Sequence, residues 1–126
     1  MKGQGIKDGT AVILTVGNTA IPATLNNNKT AHDLISRLPY TITLQRYEND
    51  YCGIITDPFV YDKNDAHNGW KNGDIDLAGN HFSILFDGEE DSGSYSNMIT
   101  LGRIDGDLSA IRSLGNTIKL TVSLAE

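Results

Sequence analysis

The stretch that decides the fold runs from residue 73 to residue 104 and reads GDIDLAGNHFSILFDGEEDSGSYSNMITLGRI. It contains three short runs rich in Ile, Leu and Phe, separated by Gly- and Asn-containing or acidic segments. Such runs bounded by turn residues are typical of β-strands. The predicted strands cover residues 75–77, 82–86 and 99–104. The last of them leads into a segment that begins with Asp107, a residue suited to cap a helix.

The segment before this stretch predicts a hairpin and a helix. Two apolar runs, 11–16 and 20–25, flank a Gly-Asn-Thr linker, which indicates a β-hairpin. Ala31, Leu34, Ile35 and Leu38 then recur at helical spacing and predict a helix over 31–38. Thr30 is expected to cap this helix together with Asp33, and Pro39 to end it.

The remaining segments complete a mainly β architecture. Further strands are predicted at 40–47, 51–56 and 117–124, with an irregular loop at 57–72 and a short second helix at 108–114 that Gly115 closes. About eight short strands with Gly-rich turns favour a closed barrel or a sandwich, with the two amphipathic helices covering the open ends. We expect one domain over residues 10–126 and a flexible leader over 1–9.

Composition excludes several classes of function. The 126 residues carry 10 Lys and Arg against 16 Asp and Glu, a formal charge of −6. An acidic surface without a basic cluster disfavours nucleic acid and anionic membranes as partners. No apolar run approaches the ~18 residues that a membrane span needs. Neither a P-loop nor a dinucleotide fingerprint occurs, so we expect no cofactor.

The sequence also gives little support for a metal site or for a nucleophilic cysteine. His32, His67 and His81 stand at least fourteen residues apart and form no pair at ligand spacing, so no metal site is expected. Cys52 is the single cysteine and has no neighbour in sequence that would lower the pKa of its thiol, which favours a buried structural cysteine. We expect a monomer. The polar leader is compatible with a cytoplasmic protein and with an exported protein that has lost its signal.

The order of these elements resembles that of the small bacterial cyclophilin-like proteins, over about residues 10–124. The motifs that carry the resemblance are Thr30-Ala31, Leu38-Pro39, Gly73-Asp74-Ile75, Gly79-Asn80 with Phe82, Tyr95-Ser96 and Leu101-Gly102-Arg103-Ile104. The resemblance implies a closed, cyclophilin-like barrel of about eight strands with a short helix at each end. Most members of this group have no established function.

The catalytic residues that give the cyclophilins their isomerase activity are mostly missing from this sequence. Their catalytic arginine and glutamine lie in a strand and following turn that read here as Leu44-Gln45-Arg46-Tyr47 and Tyr51-Cys52-Gly53-Ile54. Either Gln45 or Arg46 can face the cleft, because a shift of one residue in register reverses the face. Ser83 takes the place of a pocket phenylalanine, and Met98 that of a pocket histidine.

Taken together, the sequence favours a binding module for a small molecule or an extended peptide over an enzyme. A weak or divergent peptidyl-prolyl isomerase that uses Arg46 is the alternative. Because barrels of this size are filled with side chains, we expect the ligand on the outer face near the 57–72 loop and Trp70. The predicted binding residues are Arg46, Tyr51, Phe82, Tyr95 and Met98.

Overall fold

The computed structural model of the protein describes residues 9–125. These residues form eight β-strands that close into one antiparallel barrel. The strands are β1 (Thr10–Val16), β2 (Thr19–Leu25), β3 (Tyr40–Arg46), β4 (Asp50–Ile54), β5 (Asp74–Ala78), β6 (His81–Leu85), β7 (Met98–Ile104) and β8 (Thr117–Leu124). The predicted closed, mainly β barrel is confirmed, and its strands match the predicted ones to within two residues at each end. Residues 1–8 of the predicted leader lie outside the described residues.

The strands follow one another around the barrel in the order β1-β2-β7-β5-β6-β4-β3-β8. Alternate side chains of each strand point into the barrel, as the period of two requires. On β3, Ile42 and Leu44 are buried, whereas Thr41 and Thr43 face water. The interior is filled by aliphatic and aromatic side chains, among which Tyr51 and Phe82 are the largest without exposed surface.

Two helices close the two ends of the barrel. The first, α1 (Lys29–Ser36), connects the end of β2 to the start of β3, and the second, α2 (Ser109–Arg112), connects the end of β7 to the start of β8. Because β2 and β7 are antiparallel neighbours, these connections lie at opposite ends. Helix α1 buries Thr30, Ala31 and Leu34 completely, and of these Leu34 joins the main apolar core; α2 contributes the fully buried Ile111 to the same core.

The helix boundaries differ from the predicted ones. Asn28, rather than Thr30, caps α1, and its side-chain oxygen accepts a hydrogen bond of 2.8 Å from the Ala31 amide. Thr30 lies inside the first turn, where its side chain is fully buried. Asp33 pairs with Arg37 at 3.1 Å instead of completing a capping box. The sequence 26–28 is a run of three asparagines, so the helical stripe alone did not distinguish the cap.

The long loops contain further short helices. Single 3₁₀ segments at Lys63–Asp65 and Glu89–Ser94 lie within the predicted 57–72 loop and within the acidic segment that follows β6. Both loops pack over the outer face of the β5-β6-β7 side of the barrel, where His67 and Met98 exchange backbone hydrogen bonds. Among residues 9–125, no helix has the length and hydrophobicity that crossing a membrane requires.

Candidate functional site

The outward face of the barrel carries a row of polar side chains across four strands. Cys52 on β4 is paired with Ser83 on β6, Ser83 with Asp76 on β5, and Asp76 with Thr100 on β7. Directly paired residues of neighbouring strands point to the same side of a sheet. Since Ile75 and Leu77 point into the core, the whole row points outward. The loops that cross this face determine how much of the row meets water.

A cleft of about 380 Å³ lies over one end of this row. Its floor is formed by outward-facing residues of β4 and β6, its first wall by the β3–β4 turn, and its second wall by the loop residues around Trp70 and Tyr95. The lining residues are Tyr47, Glu48, Asn49, Asp50, Cys52, Trp70, Ala78, His81, Ser83, Leu85, Tyr95 and Met98. This volume falls within the range of about 300–1,000 Å³ that is usual for small-molecule sites.

Trp70 is held firmly in the wall of the cleft. Its indole N–H donates to the Asp87 carbonyl at 2.9 Å, and its backbone N–H donates to the Ser92 hydroxyl at 2.9 Å. Its ring lies 5.1 Å from that of Tyr95 and belongs to a small apolar cluster with Leu85 and Met98. The preceding Gly69 adopts φ +78°, a left-handed conformation that only glycine takes easily. The tryptophan is therefore a preformed apolar wall.

Burial raises the pKa values of two groups on the floor of the cleft, Cys52 and Asp50. Burial raises the pKa of the Cys52 thiol, and the Asp50 carboxylate adds to this, whereas a hydrogen bond from Ser83 opposes it. Burial likewise raises the pKa of Asp50, and His81 partly offsets the effect. A thiol with a raised pKa is a poor nucleophile at neutral pH. Cys52 is half-buried and lines the cleft, whereas the sequence predicted a buried structural cysteine.

A second cavity of about 570 Å³ lies on the other side of Trp70. It is bounded by the loop residues 67–71 and 89–93 and reaches Thr100 and Arg103 on β7. The His67 ring Nε2 lies 2.8 Å from the Thr100 hydroxyl at its edge. Trp70 lines both cavities and separates them.

Asp76 lies between the two cavities and is fully buried. Neither of its carboxyl oxygens makes a hydrogen bond of acceptable geometry among residues 9–125, although the Thr100 hydroxyl lies near enough to lower the pKa of this carboxyl. Burial, followed by the charge of nearby Asp74, raises the pKa of Asp76 to about 8, while the Thr100 hydroxyl and Arg103 act in the opposite direction. Asp74 differs from Asp76 because its carboxylate accepts a hydrogen bond of 2.7 Å from Arg103 Nε. Asp76 is therefore protonated at neutral pH.

Arg46 lies at the end of the barrel that α2 closes. Its side chain follows the inward face of β3, whereas Gln45 points outward and accepts a hydrogen bond from Thr117. The Arg46 guanidinium donates to the carbonyls of Arg112 at 2.9 Å and Leu114 at 3.3 Å. It thus satisfies free carbonyl groups at the C-terminus of α2. Its contact with the Tyr51 hydroxyl, at 3.0 Å, belongs to the same cluster.

The five residues predicted to bind a ligand fall into separate regions. Tyr95 and Met98 line the cleft. Tyr51 and Phe82 point into the barrel and have no exposed surface, and the hydroxyl of Tyr51 donates to the Gly115 carbonyl at 2.7 Å. Arg46 is beside Tyr51 but does not line the cleft. The structure places Arg46 with Tyr51 at the barrel end and Tyr95 with Met98 on the cleft, because β3 directs the arginine to the inner face.

Sequence reasoning missed the polar row itself. Asp76 stands between Ile75 and Leu77, and such alternation is typical of an ordinary solvent-facing position. Only the loops that cover the outer face bury it. Ser83 was singled out because of the pocket position that it occupies in the family pattern, and it does lie on the floor of the cleft. Within residues 9–125, no cluster of three or more His, Cys, Asp or Glu residues could hold a metal ion.

These observations define the class of protein as a closed eight-stranded barrel of cyclophilin type with a side cleft on its outer face. A sequence profile of the Cyclophilin-like family matches residues 14–123, so the chain belongs to that family. The structure is similar to the solution structure of a hypothetical protein from Archaeoglobus fulgidus, with a TM-score of 0.66 and 14% sequence identity over 99% of this chain and 100% of the other. At this identity the similarity shows a common fold only. A search of curated proteins finds no match.

Proposed function

We propose that the protein binds a small organic molecule, either free or as part of an extended peptide, in the cleft between the β3–β4 turn and Trp70. The observation that carries this proposal is the construction of the cleft: fixed aromatic and thioether walls stand over a floor of polar strand residues. Sites for small molecules combine a mostly apolar lining with a few placed polar groups in this way. The walls are formed by Trp70, Tyr95 and Met98, and the floor by Cys52 and Ser83.

Binding without turnover is better supported than catalysis. Burial raises the pKa of the thiol on the cleft floor, so Cys52 is not activated as a nucleophile at neutral pH. The isomerase alternative depends on Arg46. The guanidinium of this residue is already engaged with two carbonyl groups and the Tyr51 hydroxyl, and it does not line the cleft.

The experiment that tests the proposal uses Trp70 as its own reporter, because it is the single tryptophan of the chain. A library of small organic fragments is screened for changes in tryptophan fluorescence. We expect hits whose binding weakens at least about tenfold in Tyr95→Ala, the loss of one aromatic contact. Tyr61→Ala is the matched control, since Tyr61 is 59% exposed against 56% for Tyr95 but lies outside the cleft.

Two results would refute the proposal. The first is the absence of any fragment that changes the fluorescence of the folded protein. The second is equal weakening of binding by the two tyrosine substitutions. The isomerase alternative is tested with a prolyl tetrapeptide, for which we expect no acceleration by the wild-type protein.

A further inference from the structure

Asp76 is a buried carboxyl group without a hydrogen-bond donor, and such a group points to a ligand that donates the missing hydrogen bond. Buried polar groups in folded proteins are nearly always hydrogen-bonded, and an exception in a cleft is a candidate for function. Asp76 is such an exception, since it has no exposed surface and both of its oxygens lack partners within the described part of the chain. Asp74, two residues earlier on the same face, shows the usual arrangement because Arg103 neutralises it.

Asp76 is the neighbour, across the sheet, of residues that line the two cavities. Its direct neighbour on β6 is Ser83, which forms part of the cleft floor, and neighbouring strands lie about 4.8 Å apart. On its other side is Thr100, which lines the second cavity. Asp76 therefore lies, in the register of the sheet, between a residue of the cleft floor and a residue of the second cavity, and Trp70 borders both cavities.

We propose that the cleft binds a primary ammonium group attached to an apolar or aromatic body, and that Asp76 is the carboxylate that receives the ammonium. This inference depends on the proposed function and specifies the ligand class. The body would lie against Trp70, Tyr95 and Met98, which form the apolar side of the cleft. The ammonium would pass over Ser83 and donate to the two unpartnered oxygens.

The charge of the surroundings favours a cation over an anion. Glu48 and Asp50 lie on the cleft lining, where His81 is the single basic residue, and the chain as a whole carries a charge of −6. Aromatic rings attract cations through their negative faces, and the cleft presents the rings of Trp70 and Tyr95. An ammonium group also has three N–H donors, which suits a carboxylate with free acceptor positions.

Binding of the cation requires that Asp76 lose its proton to the solvent, because the pKa of this carboxyl in the folded protein is about 8. The other charged or titratable groups around it are Asp74 on its own strand, Arg103 on β7, His67 at Thr100 and Cys52 beyond Ser83. Affinity for an ammonium ligand should therefore rise with pH, by up to about tenfold per pH unit between pH 6 and pH 8. Affinity for a neutral ligand of the same shape should stay constant.

The test compares benzylammonium with benzyl alcohol on the full chain, with Trp70 fluorescence as the signal. We expect benzylammonium to bind at least about tenfold more tightly at pH 8, with calorimetry in two buffers showing proton release. In Asp76→Asn, this preference and its pH dependence should disappear, whereas in Asp105→Asn, which removes an exposed carboxylate outside the cleft, both should remain. Nα-acetyl-lysine amide provides a second arm: tighter binding of this probe would indicate a peptide lysine as the source of the ammonium, and tighter binding of benzylammonium a free amine.

Equal, pH-independent binding of benzylammonium and benzyl alcohol would overturn this inference and leave the proposed cleft in place. Failure of both to bind at pH 8 would also overturn it. These comparisons use the wild-type protein, so they stand even where Asp76→Asn does not fold. Failure of the whole fragment screen is a different result, and it would remove the proposed function as well.

Discussion

Replacing Asp76 by asparagine should stabilise the protein at neutral and alkaline pH and not at acidic pH. The folded protein holds a proton on Asp76 up to a pH of about 8, whereas the unfolded chain releases it near the ordinary value of 3.8. At this residue the folded state therefore binds more protons throughout this window, and the contribution of Asp76 to wild-type stability falls as the pH rises from about 4 to about 8. Asparagine has nearly the same shape and no proton to lose. The stability of the variant should not show this fall.

The magnitude follows from the width of the window. Each pH unit changes the free energy of unfolding by about 1.4 kcal/mol, so the destabilisation caused by Asp76 reaches at most about 4 kcal/mol at pH 7. The side-chain amide introduced by the substitution would bury one more unpaired donor than the neutral acid, which costs about 1–2 kcal/mol. We therefore expect Asp76→Asn to be more stable than the wild type by about 2–3 kcal/mol at pH 7, and less stable by about 1–2 kcal/mol at pH 4.

The assay is urea denaturation of the two proteins at pH 4, 5.5, 7 and 8.5, with the difference in unfolding free energy plotted against pH. Asp105→Asn is the matched control, because Asp105 is an exposed aspartate with a Thr24 hydroxyl as partner. It should produce a nearly constant difference. The reasoning is refuted if the wild type and Asp76→Asn show parallel pH dependence, since Asp76 would then titrate alike in the folded and unfolded states.

Three further changes test the structure around the cleft and the barrel end. Gly69→Ala should destabilise the protein by about 1–2 kcal/mol more than Gly17→Ala, as measured by urea denaturation. Both glycines have a positive φ, but only at Gly69 would an added Cβ lie 2.9 Å from a serine oxygen. Equal losses of stability in the two variants would contradict this. Arg46→Ala should lower the free energy of unfolding by about 2–4 kcal/mol in the same measurement, because the carbonyls at the end of α2 and the Tyr51 hydroxyl lose this donor. A decrease below about 1 kcal/mol would argue against a structural role of Arg46. Alkylation of Cys52 by iodoacetamide should show a pH midpoint above that of free cysteine, because burial raises the pKa of this thiol; a midpoint below that of free cysteine would contradict it.

The strands of the barrel were predictable because local rules decide each strand separately. The alternation of β3 placed Ile42 and Leu44 inside, and the Gly-Asn turns marked the hairpins, as the structure confirms. Helix α1 was predicted from its apolar stripe, yet its cap was wrong. An N-cap depends on which side chain reaches a free amide, and Asn28 and Thr30 both have side chains of a suitable type.

The candidate site was less predictable because it depends on residues far apart in sequence. Arg46 follows Leu44 on the inner face, so its side chain lies with Tyr51 and α2 rather than with Tyr95 and Met98. Burial of Asp76 depends on loops distant from it in sequence, which cover an outer face that strand periodicity predicts to be solvent-exposed. The binding assignments for all five predicted residues stay predictions.

The sequence by itself therefore determined the strands, the two helices and the division of side chains between the two faces of each strand, since these depend on periodicity and on turn residues, whereas closure of the barrel followed from the family resemblance. The tertiary structure alone decided where the cleft lies and which titratable groups it buries. That decision depends on how the loops at 57–72 and 87–97 pack over β5 and β6, and packing between distant segments leaves no periodic signal in the sequence. The unpartnered carboxyl of Asp76 is the clearest product of that packing.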